Sequence, residues 1–154
     1  MLKKNLKMFL VLLLLSGCSA NSNLKNDTEE ATVVVASRYM EGGTSTSNHV
    51  LKSLLSFLGS LSLRTLIRLP VHDATNSTRL YRRSFLNATQ IESTQGFEVT
   101  LELLLKAHLN KNKIIQVPIV WRDRTIGVSK FKFLKWLPAY LGWYMWGVKR
   151  YWLS

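Results

Sequence analysis

The chain has 154 residues, room for one domain of ordinary size and not for two. Its 21 Lys and Arg against 9 Asp and Glu give a formal net charge of +12, which favours anionic partners: lipid head groups, phosphorylated ligands or nucleic acid. A single cysteine excludes an intramolecular disulfide and a cysteine-based zinc site. The three histidines show no H-x-x-x-H pairing, and no P-loop, G-x-G-x-x-G or G-x-S-x-G pattern occurs.

Residues 1–20 begin with Lys3, Lys4 and Lys7, continue as an apolar run and end in small residues, the layout of a secretory leader. Leu15, Ser16, Gly17 and Cys18 resemble a bacterial lipobox, in which the cysteine thiol receives diacylglycerol, so Cys18 is the candidate lipidation site. The competing reading makes residues 9–15 a buried, degenerate strand. Residues 21–31 are polar and aperiodic, a linker under either reading.

Residues 32–36, TVVVA, form a β-branched run of the kind found in strands buried on both faces, and so require neighbours on each side. Ser37, Arg38 and Tyr39 follow, then Glu41, Gly42 and Gly43. Over 48–69 the apolar residues 51, 54, 55, 58, 61, 66 and 69 predict a helix with one broad buried stripe, with Ser47 as N-cap. After Pro70, Asp73 is placed to cap a turn. A second helix is predicted over 96–110, with Glu98 and Glu102 one turn apart; two stacked carboxylates read as a metal pair or, more commonly, as a solvent-facing stripe. Residues 113–121 predict a strand with Pro118 near its end.

That strand runs into a loop carrying Arg122, Asp123, Arg124, Ser129 and Lys130, with Gly127 to let the backbone turn. Guanidinium forks and a lysine suit a phosphate, and a solvated basic loop is the alternative. From 131 onward the chain is aromatic and apolar, bracketed by Lys132, Lys135, Lys149 and Arg150. All 5 tryptophans lie between Trp121 and Trp152. The uncharged stretch over 136–148 is shorter than the roughly 20 residues needed to span a bilayer, so the segment is expected to lie in the membrane interface, with Trp136, Tyr140, Trp143, Tyr144 and Tyr151 along one face or its border. Base stacking in a basic groove is the competing reading, but polar base-reading residues are lacking and no nucleic-acid partner is expected.

Four of these stretches, in order, resemble family 2 glycosyltransferases of the dolichyl- or polyprenyl-phosphate mannose synthase type: S-R-Y with the following G-G, the P-V-x-D-x-T run to Tyr81, Arg82 and Arg83, the helix opened by Gly96 and Phe97, and V-P-I with D-R and G-x-S-K. Ser77 and Thr78 stand where the family usually has Gly-Phe. The resemblance covers 32–152 and implies the C-terminal part of a GT-A (nucleotide-sugar transferase) α/β fold, about three strands with flanking helices, plus an amphipathic aromatic C-terminal helix at the membrane interface. The implied division is 1–20 leader or strand, 21–31 linker, 32–130 partial glycosyltransferase domain and 131–154 interfacial segment.

By the same resemblance Asp73 would be the catalytic carboxylate facing the reacting centre. Arg38 would sit at the C-terminal end of a strand, where open α/β sheets bind ligands, and would share the acceptor phosphate with Lys52, Ser56, Arg79, Arg124, Ser129 and Lys130. Lys52 keeps the charge of the family's arginine without its fork. Glu98 and Glu102 become possible sugar-site groups. The family moves mannose or glucose from a nucleotide sugar to a lipid phosphate with Mg or Mn held by a D-x-D motif; no D-x-D occurs here, so no cofactor is expected to be retained and the chain alone is expected to be inactive. The implied partners are polyprenyl phosphate and a membrane surface, with a nucleotide sugar only if a donor-binding half is supplied. A bacterial cytoplasmic membrane location follows, its side left open by a lipoprotein-like leader on a family that faces the cytosol. The alternative class is a lipid-anchored membrane-surface binding protein.

Overall fold

The computed structural model describes residues 27–46, 50–94, 96–122 and 133–153. The chain divides into two compact units, 1–30 and 31–154. Of the first, residues 27–30 are described and form a helical turn. Cys18 and the alternative strand at 9–15 lie outside the described residues, as do Ser47, Asp123, Arg124, Gly127, Ser129 and Lys130.

The second unit is built on strand β1, Val33–Ser37, whose five residues are all buried. Full burial of a valine contributes about 1.5–3 kcal/mol, so this run anchors the core. β1 pairs antiparallel with β3, Arg79–Tyr81, and parallel with β4, Ile114–Pro118, giving the order β3-β1-β4. The two-sided neighbours that TVVVA requires are therefore present. The predicted strand over 113–121 is broken after Pro118: Ile119 donates its N–H to the carbonyl of Ser37, and the chain resumes as β5, Val120–Arg122. β5 pairs in parallel with β2, Thr44–Thr46, as a separate two-stranded sheet.

Two glycines make the β1–β2 turn possible. Gly42 has φ of 79°, a left-handed conformation disfavoured for other residues, and a Cβ on Gly43 would lie 2.7 Å from the carbonyl oxygen of Ser37.

Among the described residues of this unit, four helices flank the sheets: α1, Val50–Leu66; α2, Arg83–Ala88; α3, Val99–Leu109; and α4, Phe133–Leu153. α3 supplies Leu101, Leu104 and Leu105 to the same cluster as Val33, Val35, Leu63, Ile67 and Phe85. Past its end, Lys111 adopts φ of 56°, and the N–H groups of Lys111 and Asn112 satisfy the carbonyls of His108 and Ala107. α4 packs on α3, and Gly147 admits the close approach: a Cβ there would meet the Cδ atoms of Leu105 at 2.8 Å.

Two sequence expectations are corrected here. The apolar stripe of α1 is not buried. Leu51, Leu54, Leu55, Leu58, Leu61 and Leu66 are exposed, and of the predicted set only Leu69, beyond the helix end, is in the core. The aromatic face of α4 is not free for a membrane, because Tyr140, Trp143, Tyr144 and Tyr151 pack against the core cluster and Trp136 meets Phe97 edge-to-face at 5.5 Å. What α4 exposes instead is Leu141, Met145, Trp152 and Leu153. Among the described residues no helix is long and apolar enough to cross a membrane.

Candidate functional site

β1 ends at Ser37, and the next residue, Arg38, turns its guanidinium onto Asp73. Nε donates to Oδ2 at 2.7 Å and Nη2 to Oδ1 at 3.0 Å, a two-pronged pair with Asp73 fully buried and Arg38 15% exposed. The N–H of Arg38 also donates to Oδ2 at 3.2 Å. Nη2 further reaches Ser56 Oγ at 2.9 Å and Thr75 Oγ1 at 3.3 Å, while the guanidinium carbon lies 4.9 Å from the centre of the Tyr39 ring. Tyr39 in turn donates its hydroxyl to Ser56 Oγ at 3.3 Å.

Asp73 has a second duty. Its Oδ1 accepts the N–H of Asn76 at 3.1 Å and the hydroxyl of Thr75 at 3.3 Å, which closes the turn after Pro70. Asn76 ties that turn back to β1, donating Nδ2 to the carbonyl of Ala36 at 2.8 Å. Both carboxylate oxygens are thereby engaged by donors of the protein.

The inner seam of α1 explains why its leucines face outward. Ser53, Ser56, Ser60 and Leu63 recur at helical spacing on the side that meets the Asp73 turn. Ser60 accepts the N–H of Ala74 at 3.0 Å and donates to the carbonyl of Ser56 at 2.9 Å; Ser56 and Thr75 share a hydrogen bond. A buried polar turn needs hydrogen-bonding neighbours, and small hydroxyl residues supply them where leucines could not.

The structure thus brings together Arg38, Ser56 and Asp73 and adds Tyr39, Thr75 and Asn76 to them. Lys52 sits exposed on α1. Arg79 is directed to the backbone carbonyls of Thr100 and Ala74, fastening β3 to α3 and to the turn. Next to it, burial raises the phenol pKa of Tyr81, although the Arg79 charge pulls against it, and its hydroxyl donates to the carbonyl of Thr100 at 3.3 Å.

Glu98 and Glu102 do not form a solvent-facing stripe: both are buried. Glu102 accepts the N–H groups of Glu92 and Ser93 at 2.7 and 2.9 Å and the ammonium of Lys106 at 2.8 Å. Burial pushes its carboxyl pKa up, but the bonds from Lys106, Ser93 and Glu92 outweigh it and hold the group below the usual carboxylate value. Lys106 is the mirror case, pulled down by burial and raised overall by Glu102 and Glu92. Lys106 and Glu92 left no trace in the sequence reading, because neither lies in a recognisable motif.

No family model matches the chain. Over 102 residues it is 30% identical to the polyprenol monophosphomannose synthase of Mycolicibacterium smegmatis, a match that covers 65% of this chain and 38% of that protein. Over 102 residues it is 28% identical to the undecaprenyl-phosphate mannosyltransferase of Micrococcus luteus, covering 65% of this chain and 42% of that protein. The similarity is to polyprenyl-phosphate mannosyltransferases. The chain spans about two fifths of the length of these curated relatives.

Two of the described carboxylates are already engaged by the protein. Asp73 is occupied by Arg38 and the turn, Glu102 by Lys106 and two backbone N–H groups, and among the described residues no group of three His, Cys, Asp or Glu converges.

Proposed function

We propose that this chain forms the acceptor side of a polyprenyl-phosphate glycosyltransferase and binds the phosphate of a lipid acceptor at a membrane surface. One observation carries the reading: Arg38 stands just past the C-terminal end of β1, its guanidinium held by Asp73 and Ser56. The end of a buried strand is where open α/β sheets present ligand-binding groups, and a phosphate there would meet the guanidinium beside, or in exchange with, the carboxylate of Asp73 that now takes its Nε–Nη2 edge. The similarity to two mannosyltransferases whose names specify polyprenol and undecaprenyl phosphate supports that choice of acceptor.

In the reaction, a phosphate oxygen of the acceptor forms a bond to the anomeric carbon of the sugar while the bond from that carbon to the nucleoside diphosphate breaks. A phosphate monoester has its second pKa near about 6 and is largely dianionic at neutral pH, so the attacking oxygen needs no protein base. On this reading Asp73 is a positioning residue that fixes the Arg38 fork, and Arg38 and Ser56 orient the phosphate. Lys52, Arg124, Ser129 and Lys130 are the further cations and donors proposed for it, and Cys18 remains the proposed lipidation site. These 154 residues contain no D-x-D pair, and we propose that they transfer no sugar by themselves, donor and metal binding being the task of another part.

The test is binding of a short-chain polyprenyl phosphate in detergent micelles by the full chain, compared with Arg38→Ala, together with transfer from radiolabelled nucleotide mannose or glucose. Saturable binding lost in Arg38→Ala, without transfer, is expected. Binding unaffected by Arg38→Ala refutes the site, and transfer by the chain alone refutes the division of labour.

A further inference from the structure

β4 reaches the site through a residue that no motif marks. Gln116 is the polar member of Ile114–Pro118 and lies opposite Val35 of β1 in the parallel register. Alternation along the strand sets it on the face opposite to that of the buried Val117. Its carboxamide makes two hydrogen bonds to one residue, His72, which immediately precedes Asp73. Oε1 accepts the N–H of His72 at 2.9 Å, and Nε2 lies 2.6 Å from Nδ1 of the imidazole.

The chemistry of the four atoms fixes which of them donates. A backbone N–H can only donate, so the amide atom that faces it is the carbonyl oxygen and the other is the NH₂ group. An NH₂ group also only donates, so Nδ1 presents its lone pair and the ring proton resides on Nε2. Turning the amide over would point NH₂ at the backbone N–H, and a proton on Nδ1 would oppose the NH₂ group; each sets donor against donor.

This pair completes the fastening of the Asp73 turn. Past Asp73, the N–H of Ala74 goes to Ser60 on α1, and Asn76 reaches the carbonyl of Ala36 on β1. Before Asp73, the entry to the turn is tied to β4 through Gln116. The carboxylate stands between these ties, so its direction toward Nε of Arg38, 2.7 Å away, follows from the backbone held on either side. A side chain rooted on a paired strand gives such a tie a rigid base. We propose that Gln116 is a positioning residue of the phosphate site: acting through His72, it sets the backbone before Asp73 and with it the fork that holds Arg38. The link to a phosphate rests on the proposed acceptor reading, whereas the link to Arg38 does not.

The experiment uses the full chain, ¹⁵N-labelled, in mildly alkaline buffer. Long-range ¹H–¹⁵N correlation of the imidazoles is expected to show His72 as the Nε2–H tautomer, and Gln116→Glu, whose second oxygen can only accept, to move the proton to Nδ1. The Arg38 Nε–H resonance reports the fork directly. Gln116→Leu should speed its exchange with solvent, and weaken binding of a water-soluble short prenyl phosphate, each by about tenfold, the scale of one or two hydrogen bonds. His72→Ala keeps the backbone bond to Oε1 and should lie between wild type and Gln116→Leu. Gly147→Ala, which disturbs α4 packing away from the site, is the control for general destabilisation and should leave both readouts unchanged. An Nδ1–H tautomer or an imidazolium at His72 in the wild-type chain overturns the proposal. So does an Arg38 signal unmoved in folded Gln116→Leu, or one moved equally by Gly147→Ala. Should Gln116→Leu fail to fold, Gln116→Asn, one methylene too short to reach both atoms of His72, carries the same readouts. If the Arg38 signal responds but the wild-type chain binds no prenyl phosphate, the positioning role stands and the acceptor reading falls.

Discussion

Replacing Asp73 by Asn is the sharpest probe of the site. The carboxylate is fully buried and receives the Arg38 fork at 2.7 and 3.0 Å together with the N–H of Asn76 at 3.1 Å. An amide keeps one acceptor oxygen, turns an NH₂ group toward donors and leaves a guanidinium 85% covered without its counter-charge. Removing one partner of a buried pair costs about 3–5 kcal/mol, and the remaining exposure of Arg38 places this case near the lower end. A domain of this size is stable by about 5–15 kcal/mol, so urea unfolding followed by tryptophan fluorescence should show a clear fall in midpoint with an unchanged slope. Prenyl phosphate affinity should fall with it, by about tenfold or more, because charge-assisted hydrogen bonds are worth about 1.5–3 kcal/mol and the fork is no longer held. A variant that keeps the wild-type midpoint and affinity would show that Asp73 neither holds Arg38 nor supports the turn.

The Glu102–Lys106 pair predicts pH dependence at both ends. The lowered carboxyl of Glu102 contributes stability above the unfolded value of about 4.3, lost as pH falls through the lower folded value, and the raised Lys106 contributes below about 10.4, lost as pH rises through its higher folded value. Glu102→Gln should flatten the acid limb of a stability–pH profile, and an unchanged limb would exclude the assignment. Gly147→Ala should lower the urea midpoint by the equivalent of about 1–3 kcal/mol through overpacking against Leu105, and an unshifted midpoint would mean that α4 can move away. Gly43→Ala should distort the turn that carries Arg38, because its Cβ would meet a backbone oxygen that cannot rotate aside; retention of full prenyl phosphate affinity would argue against that coupling.

The β-branched run of β1 was readable because two-sided burial leaves an unbroken apolar signature, whereas the glycines after it were noted only within the resemblance, and their left-handed φ and close backbone approach emerge from the structure. Helical periodicity located α1 but not its orientation. A regular apolar spacing says that the leucines share a face, not which side that face is on, and the deciding information lay in Ser53, Ser56 and Ser60, whose role depends on a turn some 15 residues further along. The aromatic residues of α4 misled for a related reason: rings suited to a membrane interface are equally suited to a core, and Leu104 and Leu105 of α3 give them one. Deleting the segment from 131 onward therefore strips the core as well as any membrane contact. At the site, Arg38, Ser56 and Asp73 were legible through resemblance, while the engagement of Arg79 with two carbonyls depends on backbone groups that leave no mark in a sequence.

The pairing of β1 has a consequence for how the chain acquires its structure. Its parallel neighbour, β4, is made long after it: Thr32 and Asn112, which meet beside the two strands, are 80 residues apart. Closing so long a loop before its contacts repay the entropy makes the step slow, and topologies dominated by such pairings fold in milliseconds to seconds. During synthesis at about 5–20 residues per second, TVVVA waits for several seconds with one edge open, a window in which a β-branched segment invites pairing with other chains. Chaperone dependence in the cell, and refolding yields that fall steeply with protein concentration, are the outward signs to look for.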